Sequence, residues 1–412
     1  MPVPRMIACT TAATALVLTS ITAAGAATAS DPEGIRNAVS PAYDRHSSGP
    51  SSMTKQELAR SKWATKVKVM TRNVFLGADL GPGLAAPDLD RLIRGAGQIL
   101  NQVDANNFRK RADSISREIL NRKPDLVGLQ EVANWRTAPC GSPFFPPQAK
   151  KVRYNYLRIL LRKLNADGRT YRVVNKRKQF DFEIPANTSG DPEQNHCDIN
   201  GRLTMRDVIL ARTDGRKIRI RKRKGGTFNH LLTVRPGDVV DYPVKRGWLS
   251  VDAKVGTSPW FRFVNTHLEA FDDQSKHPSI RRQQARELVR RRGPVKSTAD
   301  PVILVGDLNS DIRTEVKPGD SQAYRTLRRA GLRTKAVPRP MSCCLQLPVL
   351  GPDADPADSA QRDHVVDHIM TNTPKRILRL RGMVTGRKPF QGWWGSDHAG
   401  VVSQLAIIKR HG

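Results

Sequence analysis

An alternation of apolar and polar side chains with a period of two begins near Lys66 and ends close to Asn73. This period is typical of a half-buried strand. Two stretches with apolar residues at helical spacing follow at 88–103 and 108–120, and Pro124 stops the second of them. A compact apolar run at 125–132 then predicts a buried strand that ends in Glu131.

The remaining apolar patterns mix both kinds of element along the whole chain. They predict helices at 152–164, 279–292 and 322–330, and strands at 207–211, 249–255, 261–266, 302–305, 365–370 and 401–408. Three stretches rich in Pro, Gly, Asn or Asp are predicted to be long loops, at 136–150, 182–203 and 337–361. Interspersed strands and helices without an internal repeat indicate one α/β or α+β domain, which we place at 66–410.

The N-terminal region has the pattern of an export signal rather than of a folded element. A short head carrying Arg5 precedes an apolar stretch, and Ala27-Thr28-Ala29 fits the small-x-small cleavage rule, so we expect a signal peptide at 1–29. Many Thr and Ser residues make this stretch a poor membrane anchor. Residues 30–65 are polar and rich in Pro, Ser and Gly, and we expect a flexible leader. The sequence thus predicts a secreted protein.

Four cysteines remain after the expected cleavage, namely Cys140, Cys197, Cys343 and Cys344. An even number in an exported chain favours disulfides, and four cysteines allow three pairings. The absence of a C-x-x-C pair disfavours a zinc site.

The charge balance is strongly basic, with 69 Lys and Arg against 38 Asp and Glu and a formal net charge of +31. Such an excess attracts polyanions, including nucleic acid and anionic lipid. Because the cations are scattered along the chain, they are also compatible with a simple role in solubility. The densest run, Arg219–Lys224, predicts a charged hairpin or exposed loop that grips a polyanion, or else a solvated edge strand.

Polar residues follow several of the predicted strands at their ends. Glu131 ends one strand, His267 another, Asp307 and Asn309 a third, and His398 precedes the last. Buried polar groups are costly unless they are paired or bind a metal. Each of these residues alone is as well explained by turn formation, which often uses Asp and Asn.

The strand-end motifs, in order, are Thr71-x-Asn73, Leu129-Gln130-Glu131, Asn265-Thr266-His267-Leu268, Gly306-Asp307-Leu308-Asn309, Asp367-His368-Ile369 and Ser396-Asp397-His398. Taken together, they resemble the endonuclease/exonuclease/phosphatase superfamily, which includes deoxyribonucleases, sphingomyelinases and inositol-polyphosphate phosphatases. The segment Thr71-Arg72-Asn73-Val74-Phe75-Leu76-Gly77-Ala78-Asp79-Leu80 and the helical insertion after it resemble an exported bacterial subgroup of this superfamily. The resemblance implies an α+β fold, a four-layer sandwich of two packed mixed β-sheets flanked by helices, with the site at one edge.

The resemblance also implies metal ligands. Glu131 is expected to bind the ion directly, while Asn73 and Asp397 lie near it or reach it through water. Oxygen ligands suit a hard cation, so Mg²⁺ is expected, with Mn²⁺ or Ca²⁺ as alternatives.

Further residues receive roles in proton transfer and phosphate binding from the same resemblance. Asp307 is expected to orient or deprotonate the attacking water, and Asn309 to hold water or phosphate. His398, oriented by Asp367, is expected to transfer a proton or to bind the phosphate as a cation. His267 is expected to donate a hydrogen bond to a phosphate oxygen.

One part of the motif set departs from the relatives, many of which carry a Tyr, or a Glu paired with the first His, in the middle third. Arg206 or Asp207 is the candidate for that place, although the assignment is loose. Trp394, close to His398, is a candidate for stacking on a substrate, with core packing as the alternative.

The resulting hypothesis is a secreted, divalent-metal-dependent phosphodiesterase, and among phosphate esters the charge favours nucleic acid. The alternatives are a phospholipase C-type enzyme such as a sphingomyelinase, an inositol-phosphate phosphatase, and a polyanion-binding protein on an inactive hydrolase scaffold. Anionic membrane lipid is a further potential partner. The sequence implies no protein partner, and we expect a monomer.

Overall fold

The structure is a computed structural model, and it describes residues 54–142, 146–191, 196–239, 241–271, 278–313, 321–337, 340–345 and 362–409. The predicted signal peptide and the leader as far as residue 53 lie outside these residues. None of the helices within the described ranges has the length and hydropathy needed to span a membrane.

The described chain contains helices and strands in irregular alternation. The helices are α1 (Lys55–Arg60), α2 (Gly81–Leu84), α3 (Leu89–Ala105), α4 (Phe108–Arg122), α5 (Tyr156–Leu164), α6 (Ile280–Val289) and α7 (Gln322–Arg329). The strands are β1 (Ala64–Asn73), β2 (Leu126–Gln130), β3 (Asn134–Pro139), β4 (Lys151–Asn155), β5 (Tyr171–Ala186), β6 (Ile199–Arg212), β7 (Ile218–Thr227), β8 (Leu232–Val234), β9 (Tyr242–Val244), β10 (Gly247–Val255), β11 (Phe261–His267), β12 (Val302–Asp307), β13 (Arg333–Thr334), β14 (Asp367–Thr371), β15 (Ile377–Thr385) and β16 (Gly400–Ile408).

Two large mixed sheets form the centre of the domain. The first has the order β15-β16-β1-β2-β6-β3-β4, and β5 pairs with the other side of β6. The second has the order β13-β14-β12-β11-β10-β7. Strands β1 and β2 are parallel, as are β11 and β12, so both pairs end at the same edge of their sheets.

The two sheets pack face to face, and helices cover their outer faces. Val69 of β1 and Phe263 of β11 belong to the apolar core between the sheets, while Met70 points to the other side of β1 and packs with α3 and α4. A third core lies between the second sheet and α6 and α7. This α/β/β/α arrangement confirms the α+β four-layer sandwich expected from the sequence.

The largest differences from the predicted elements occur in the first sheet. The predicted loops at 136–150 and 182–203 contain parts of β3, β5 and β6, and the predicted helix at 152–164 begins only after β4. Strand β5 has many half-exposed and polar residues, because the end of the long β5–β6 hairpin extends beyond the apolar core. The sequence of β5 therefore lacks the regular alternation of apolar and polar residues by which a half-buried strand is predicted.

Regular structure also begins earlier than expected. Helix α1 starts after Thr54, whose side chain accepts a hydrogen bond from Glu57 N while Glu57 binds back to Thr54 N. This reciprocal cap stabilises a short helix within the segment expected to be a flexible leader. The leader prediction is therefore wrong for the last residues of 30–65.

The structure selects one of the three possible cysteine pairings. One disulfide joins Cys140, just after β3, to Cys197, just before β6. The other joins the neighbouring residues Cys343 and Cys344.

Candidate active site

The predicted site residues meet at the edge where strands of both sheets end. Asn73 ends β1 and Glu131 follows β2, while His267 and Asp307 are the last residues of β11 and β12 and pair with each other in register. Asp367, in register with Asp307, begins the antiparallel strand β14. His398 lies two residues before β16, which pairs antiparallel with β1. Sheet topology thus brings sequence-distant segments to one place.

Asn73 links the two sheets across the site. Its side-chain nitrogen donates to Glu131 Oε1 at 3.2 Å and to Asp307 Oδ2 at 3.0 Å, and its oxygen accepts a hydrogen bond from Phe75 N at 2.9 Å. The other carboxylate oxygen of Glu131 accepts from Leu76 N at 2.8 Å. The amide therefore fixes the separation of the two carboxylates.

Backbone strain is concentrated around these groups. Phe75, Glu131 and Asn309 have φ values of 55°, 58° and 45°, in the left-handed region that residues other than glycine rarely adopt. Such conformations persist only where the surroundings determine them, and they are frequent at functional sites. At Glu131 this conformation ends β2 and lets the carboxylate face Asn73.

Asp367, His398 and Asp307 form a chain of ionisable groups. Asp367 Oδ2 lies 2.8 Å from His398 Nδ1, and His398 Nε2 lies 3.7 Å from Asp307 Oδ2. All three side chains are buried. The Asp367 carboxylate accepts a hydrogen bond from Nδ1–H of His398, and this orients the Nε2 side of the ring towards Asp307.

Burial disfavours the charged form of His398, but the carboxylates of Asp367, Asp397 and Asp307 outweigh it and raise the pKa of His398 to about 10. Burial also raises the pKa of the Asp307 carboxyl, although the His398 cation opposes this effect. The pKa of Glu131 is raised by burial and by the nearby charge of Asp397. In the metal-free protein His398 is therefore an imidazolium at neutral pH.

Replacing Asp367 with Asn is expected to lower the pKa of His398, because the nearest carboxylate is lost. The folded wild-type protein binds this proton more tightly than the unfolded chain. The resulting stability is complete below about pH 6.5 and is lost as the pH rises through about 10. NMR titration of the metal-free imidazole measures the change. Asp300→Asn, which removes a carboxylate paired with Arg221 at the opposite end of β12, is the control. An unchanged titration of His398 in Asp367→Asn would contradict this assignment.

His267 is held in a different protonation state from His398. Its Nδ1 lies 3.2 Å from an Arg246 guanidinium nitrogen, and its Nε2 lies 3.1 Å from the side-chain nitrogen of Asn309; both of these neighbours are hydrogen-bond donors. Nε2 also lies 3.6 Å from Asp307 Oδ2. Burial, followed by the charges of Arg246 and His398, lowers the pKa of His267 well below its usual range. His267 is thus a neutral ring whose Nε2 faces the site.

The site carries more negative than positive charge. The carboxyl groups of Glu131, Asp307, Asp367 and Asp397 surround the His398 imidazolium, while the Arg246 guanidinium behind His267 is paired with Glu269 at 3.5 Å. Asp367 Oδ1 is buried and has no hydrogen-bond partner among the described residues, and Asp307, Asp367 and, once it has lost its proton, His398 offer ligand atoms within 4.8 Å of one another. Oxygen donors with excess negative charge fit a hard divalent cation.

Asp397 lies at the site, but it also stabilises its own loop. Its Oδ1 accepts hydrogen bonds from Ser396 Oγ at 3.1 Å and from His398 N at 2.9 Å. The second carboxylate oxygen remains available to a cation, so this position is compatible with the role expected from the sequence.

Arg206 and Asp207 do not form a substrate surface. The Arg206 guanidinium donates to Val132 O at 3.1 Å and to Ala133 O at 3.2 Å. It therefore anchors the connection that follows Glu131. Asp207 is buried and accepts from Gln179 at 2.9 Å, and burial raises its pKa to about 7. The prediction that either residue contacts substrate is corrected to a positioning role for Arg206 and a buried polar role for Asp207.

Trp394 is also not exposed for stacking. Its side chain is 1% exposed and packs with Phe75 and Leu345, and the guanidinium of Arg362 lies 4.9 Å from the centre of its ring. Burial of this large apolar ring completes a small core beside the loop before the final strand. The substrate-binding prediction is therefore wrong, and the core-packing alternative is correct.

Buried arginines hold the loops of the site, a role that no sequence pattern indicated. Arg111, on α4, donates to the carbonyls of Val74, Phe75 and Gly395 at 2.9 to 3.1 Å. It therefore ties the loop after β1 to the loop that carries His398.

Two further arginines act on the same loops. Arg72 donates to the carbonyls of Asn73 and His398 at 3.0 and 2.6 Å and pairs with Glu118 at 2.8 Å. Arg362 donates to the carbonyls of Asp397 and Ser396 at 2.9 and 3.0 Å. Part of the surplus of arginine thus serves to position the site loops.

The disulfide between Cys343 and Cys344 borders the histidine. Cys344 Sγ lies 3.8 Å from His398 Nε2, and the Ser342 hydroxyl oxygen accepts a hydrogen bond from Asp367 N at 3.3 Å. This segment therefore covers one side of the pair formed by Asp367 and His398. The sequence placed these cysteines in a loop and did not connect them with the site.

Comparisons with known proteins agree with the strand-end motifs. The model of the Endonuclease/Exonuclease/phosphatase family matches residues 93–398. No curated protein matches the sequence significantly. Among solved structures, a family protein from Bacteroides thetaiotaomicron is 15% identical with a TM-score of 0.51, over 84% of this chain and 99% of that one. At this identity the likeness shows the fold alone.

Two other similar structures have lower TM-scores. A mannosyl-6-phosphatase from Bacteroides thetaiotaomicron is 16% identical over 82% of this chain and 99% of its own, with a TM-score of 0.48. A humanized TDP2 of D. rerio is 15% identical over 82% and 98%, with a TM-score of 0.42. At these scores their activities carry no argument for this chain.

Proposed function

Because the chain belongs to the Endonuclease/Exonuclease/phosphatase family, whose members hydrolyse phosphate esters, we propose that it is a secreted, divalent-metal-dependent phosphodiesterase that cleaves nucleic acid. The observation that carries the proposal is the meeting of Glu131, Asp307 and His398 at one edge of the sandwich, with Asn73 between the two carboxylates.

The metal requirement follows from the donor set. Glu131 and Asp397 would hold the ion, and Asn73 keeps Glu131 in place through its hydrogen bond. Mg²⁺ is the first choice, since all of these donors are oxygens. When bound, such an ion polarises a phosphoryl oxygen and stabilises the charge that develops in the transition state.

Asp307, His267 and His398 would carry out the proton transfers and the phosphate binding. Asp307, with a raised pKa and only donors around Oδ2, is placed to accept a proton from the attacking water. His267, whose Nε2 lies 3.6 Å from Asp307 Oδ2, would donate a hydrogen bond to a phosphate oxygen after Asn309 moves from Nε2. His398 places a cation beside Asp307, where it binds phosphate or delivers a proton to the leaving oxygen.

Nucleic acid is favoured among phosphate esters by charge. The net charge of +31 attracts a polyanion over long range, and association with nucleic acid depends strongly on such charge. Secretion is proposed from the N-terminal pattern of Arg5, an apolar stretch and Ala27-Thr28-Ala29.

Removal of divalent cations tests the chemistry. We expect EDTA to reduce hydrolysis of bis(p-nitrophenyl) phosphate and duplex DNA by on the order of a hundredfold or more, and Mg²⁺ in excess to restore it. Glu131→Gln is expected to raise the Mg²⁺ concentration for half-maximal rate by about tenfold or more. The matched control is Glu57→Gln, which removes an exposed charge on α1. Full activity in EDTA would contradict the metal requirement.

A substrate panel tests the choice of nucleic acid. Duplex DNA, RNA, sphingomyelin and inositol phosphates are offered to the same preparation with Mg²⁺. We expect internal cleavage of nucleic acid. Hydrolysis of sphingomyelin or inositol phosphates alone would replace the nuclease proposal with one of the alternatives and retain the site chemistry. Binding of DNA without hydrolysis of any substrate would favour a polyanion-binding protein.

A further inference from the structure

A row of exposed cations lies along the edge of the second sheet. Strand β7 carries five Lys or Arg residues and no acidic residue, and all five side chains are exposed. Four of them, Arg219, Arg221, Lys222 and Lys224, form a set that we term the basic band; the fifth, Arg223, donates to Val174 O of β5 at 2.8 Å. The sequence left this run open between a hairpin, a loop and an edge strand, and the structure shows an edge strand.

The cations project away from the core. Ile218 and Ile220 pack against the apolar core between the sheets, so Arg219 and Arg221 lie on the opposite face of β7. Lys224 pairs with Ser250 on this outward face. The outward face therefore presents a series of cations and no large apolar side chain from β7.

Strand register places one end of the basic band beside the site. Thr227, the last residue of β7, pairs with Gly247 of β10, which in turn pairs with His267. At the usual strand spacing, Thr227 lies about 10 Å from His267, and Lys224, the band cation nearest to the site, lies roughly 10 Å farther along the strand. Arg219 lies about 16 Å beyond Lys224.

Most of this charge is not neutralised. Arg219 and Lys224 make no ion pair with the described residues. Arg221 and Lys222 have carboxylate contacts of 3.4 and 3.9 Å, and their side chains are 42% and 57% exposed. Exposed pairs at such distances are weak, so these cations remain able to exchange partners for phosphate.

We propose that the basic band binds the sugar–phosphate backbone of a nucleic-acid duplex beside the scissile bond. The proposal rests on the phosphodiesterase function assigned to the site. The band spans about 16 Å from Arg219 to Lys224, which corresponds to about five base pairs at roughly 3.4 Å per step of one strand. Because backbone phosphates are the same in every sequence, the band confers affinity and not base specificity.

A membrane surface fits the band less well. Interfacial binding combines basic residues with apolar or aromatic side chains that enter the lipid. The exposed large apolar residues in the described part of the chain lie elsewhere, for example Leu89, Val152 and Leu380. Trp260 next to the band lies beneath the guanidinium of Arg221 at 4.0 Å. The band is therefore a polar, cationic surface.

The test compares two double variants of equal charge change. Arg219→Gln with Lys224→Gln removes the two unpaired cations of the band. Arg162→Gln with Arg169→Gln removes two exposed cations on α5 and the turn after it, outside the first sheet. We expect KM for a long duplex to rise on the order of tenfold in the band variant alone. The slope of log KM against log salt is expected to fall by about 2, as the loss of two phosphate contacts requires. Hydrolysis of bis(p-nitrophenyl) phosphate, which is too small to reach the band, is expected to be unchanged.

The outcomes separate this inference from the proposed function. If the wild type does not hydrolyse bis(p-nitrophenyl) phosphate, the phosphodiesterase proposal fails before the band is tested. If it does, equal effects of the two double variants on duplex cleavage would show that only total charge matters and would overturn the inference. Loss of binding to phosphatidylserine-containing vesicles, with duplex cleavage intact, would instead assign the band to a lipid surface.

Discussion

Replacing Asp307 with asparagine is expected to lower kcat for phosphodiester hydrolysis by about a thousandfold, within the range typical for the loss of a general acid or base. Asparagine keeps the shape of the side chain but cannot accept a proton from water. The new amide also lies next to the Asn73 nitrogen, which now donates to Asp307 Oδ2 at 3.0 Å. Nitrogens of His267 and His398 lie 3.6 and 3.7 Å from the same oxygen. We expect KM to change far less than kcat, because the phosphate contact proposed for His267 does not involve the substituted group.

The measurement is steady-state hydrolysis of bis(p-nitrophenyl) phosphate and duplex DNA with saturating Mg²⁺. Asp90→Asn, in the exposed first turn of α3, serves as the control, since it removes the charge of an aspartate away from both the site and the basic band. Thermal unfolding of each variant verifies that the fold is retained. A kcat of Asp307→Asn within a few fold of the wild type would exclude Asp307 from proton transfer.

A second variant shows whether Asp307 acts together with His398. The nearest approach of the two side chains is 3.7 Å, and each alters the pKa of the other. We expect His398→Ala to lower kcat by a similar factor, and the double variant to be no slower than the worse single variant. Groups that act as one unit show such non-additive losses. If the kcat of the double variant fell by the product of the two single losses, the two residues would act in separate steps.

The elements that carry the chemistry were the ones that the sequence predicted best. Strands β2, β11 and β12 are buried, and β1 and β16 nearly so. All of them except β1 read as a short apolar run followed or preceded by a polar residue, and β1 reads as a period-two alternation that ends in Asn73. The run is apolar because the strand lies in the core, and the polar residue comes where the strand leaves the core at the site. The positions of Glu131, His267 and Asp307 at strand ends followed directly from this pattern.

The supporting side chains could not be predicted in the same way. Arg111 donates to backbone carbonyls of distant loops, and Arg246 contacts the His267 ring. Neither arginine lies in a sequence motif that indicates this contact. In the sequence of α4, Arg111 resembles its neighbours Arg109 and Lys110, which are exposed. Only the packing of α4 against the loops of the site distinguishes them. For the same reason the sequence left Trp394 open between stacking on a substrate and core packing, and the structure shows core packing.

Replacing Arg111 with methionine is expected to cause the largest loss of stability among single changes near the site. The side chain is fully buried and its guanidinium donates to four carbonyls, those of Val74, Phe75, Asn106 and Gly395. Methionine fills much of the space but donates nothing. Each buried carbonyl left without a donor costs about 1–3 kcal/mol, so the loss is about 4 kcal/mol or more. This is a large part of the 5–15 kcal/mol that is typical of a folded domain.

The same change is expected to reduce kcat, because it releases the loop after Asn73 from the loop before His398. We expect Tm to fall by roughly 5–10 °C and kcat by on the order of tenfold at a temperature where the variant is folded. Lys110→Met, which removes an exposed cation from the same helix, controls for charge and helix propensity. Arg111→Lys retains the charge but offers one nitrogen in place of three, so it is expected to fall between the wild type and Arg111→Met. If Arg111→Lys matched the wild type in both Tm and kcat, charge alone would explain the residue, and the hydrogen bonds that join the two loops would not be needed.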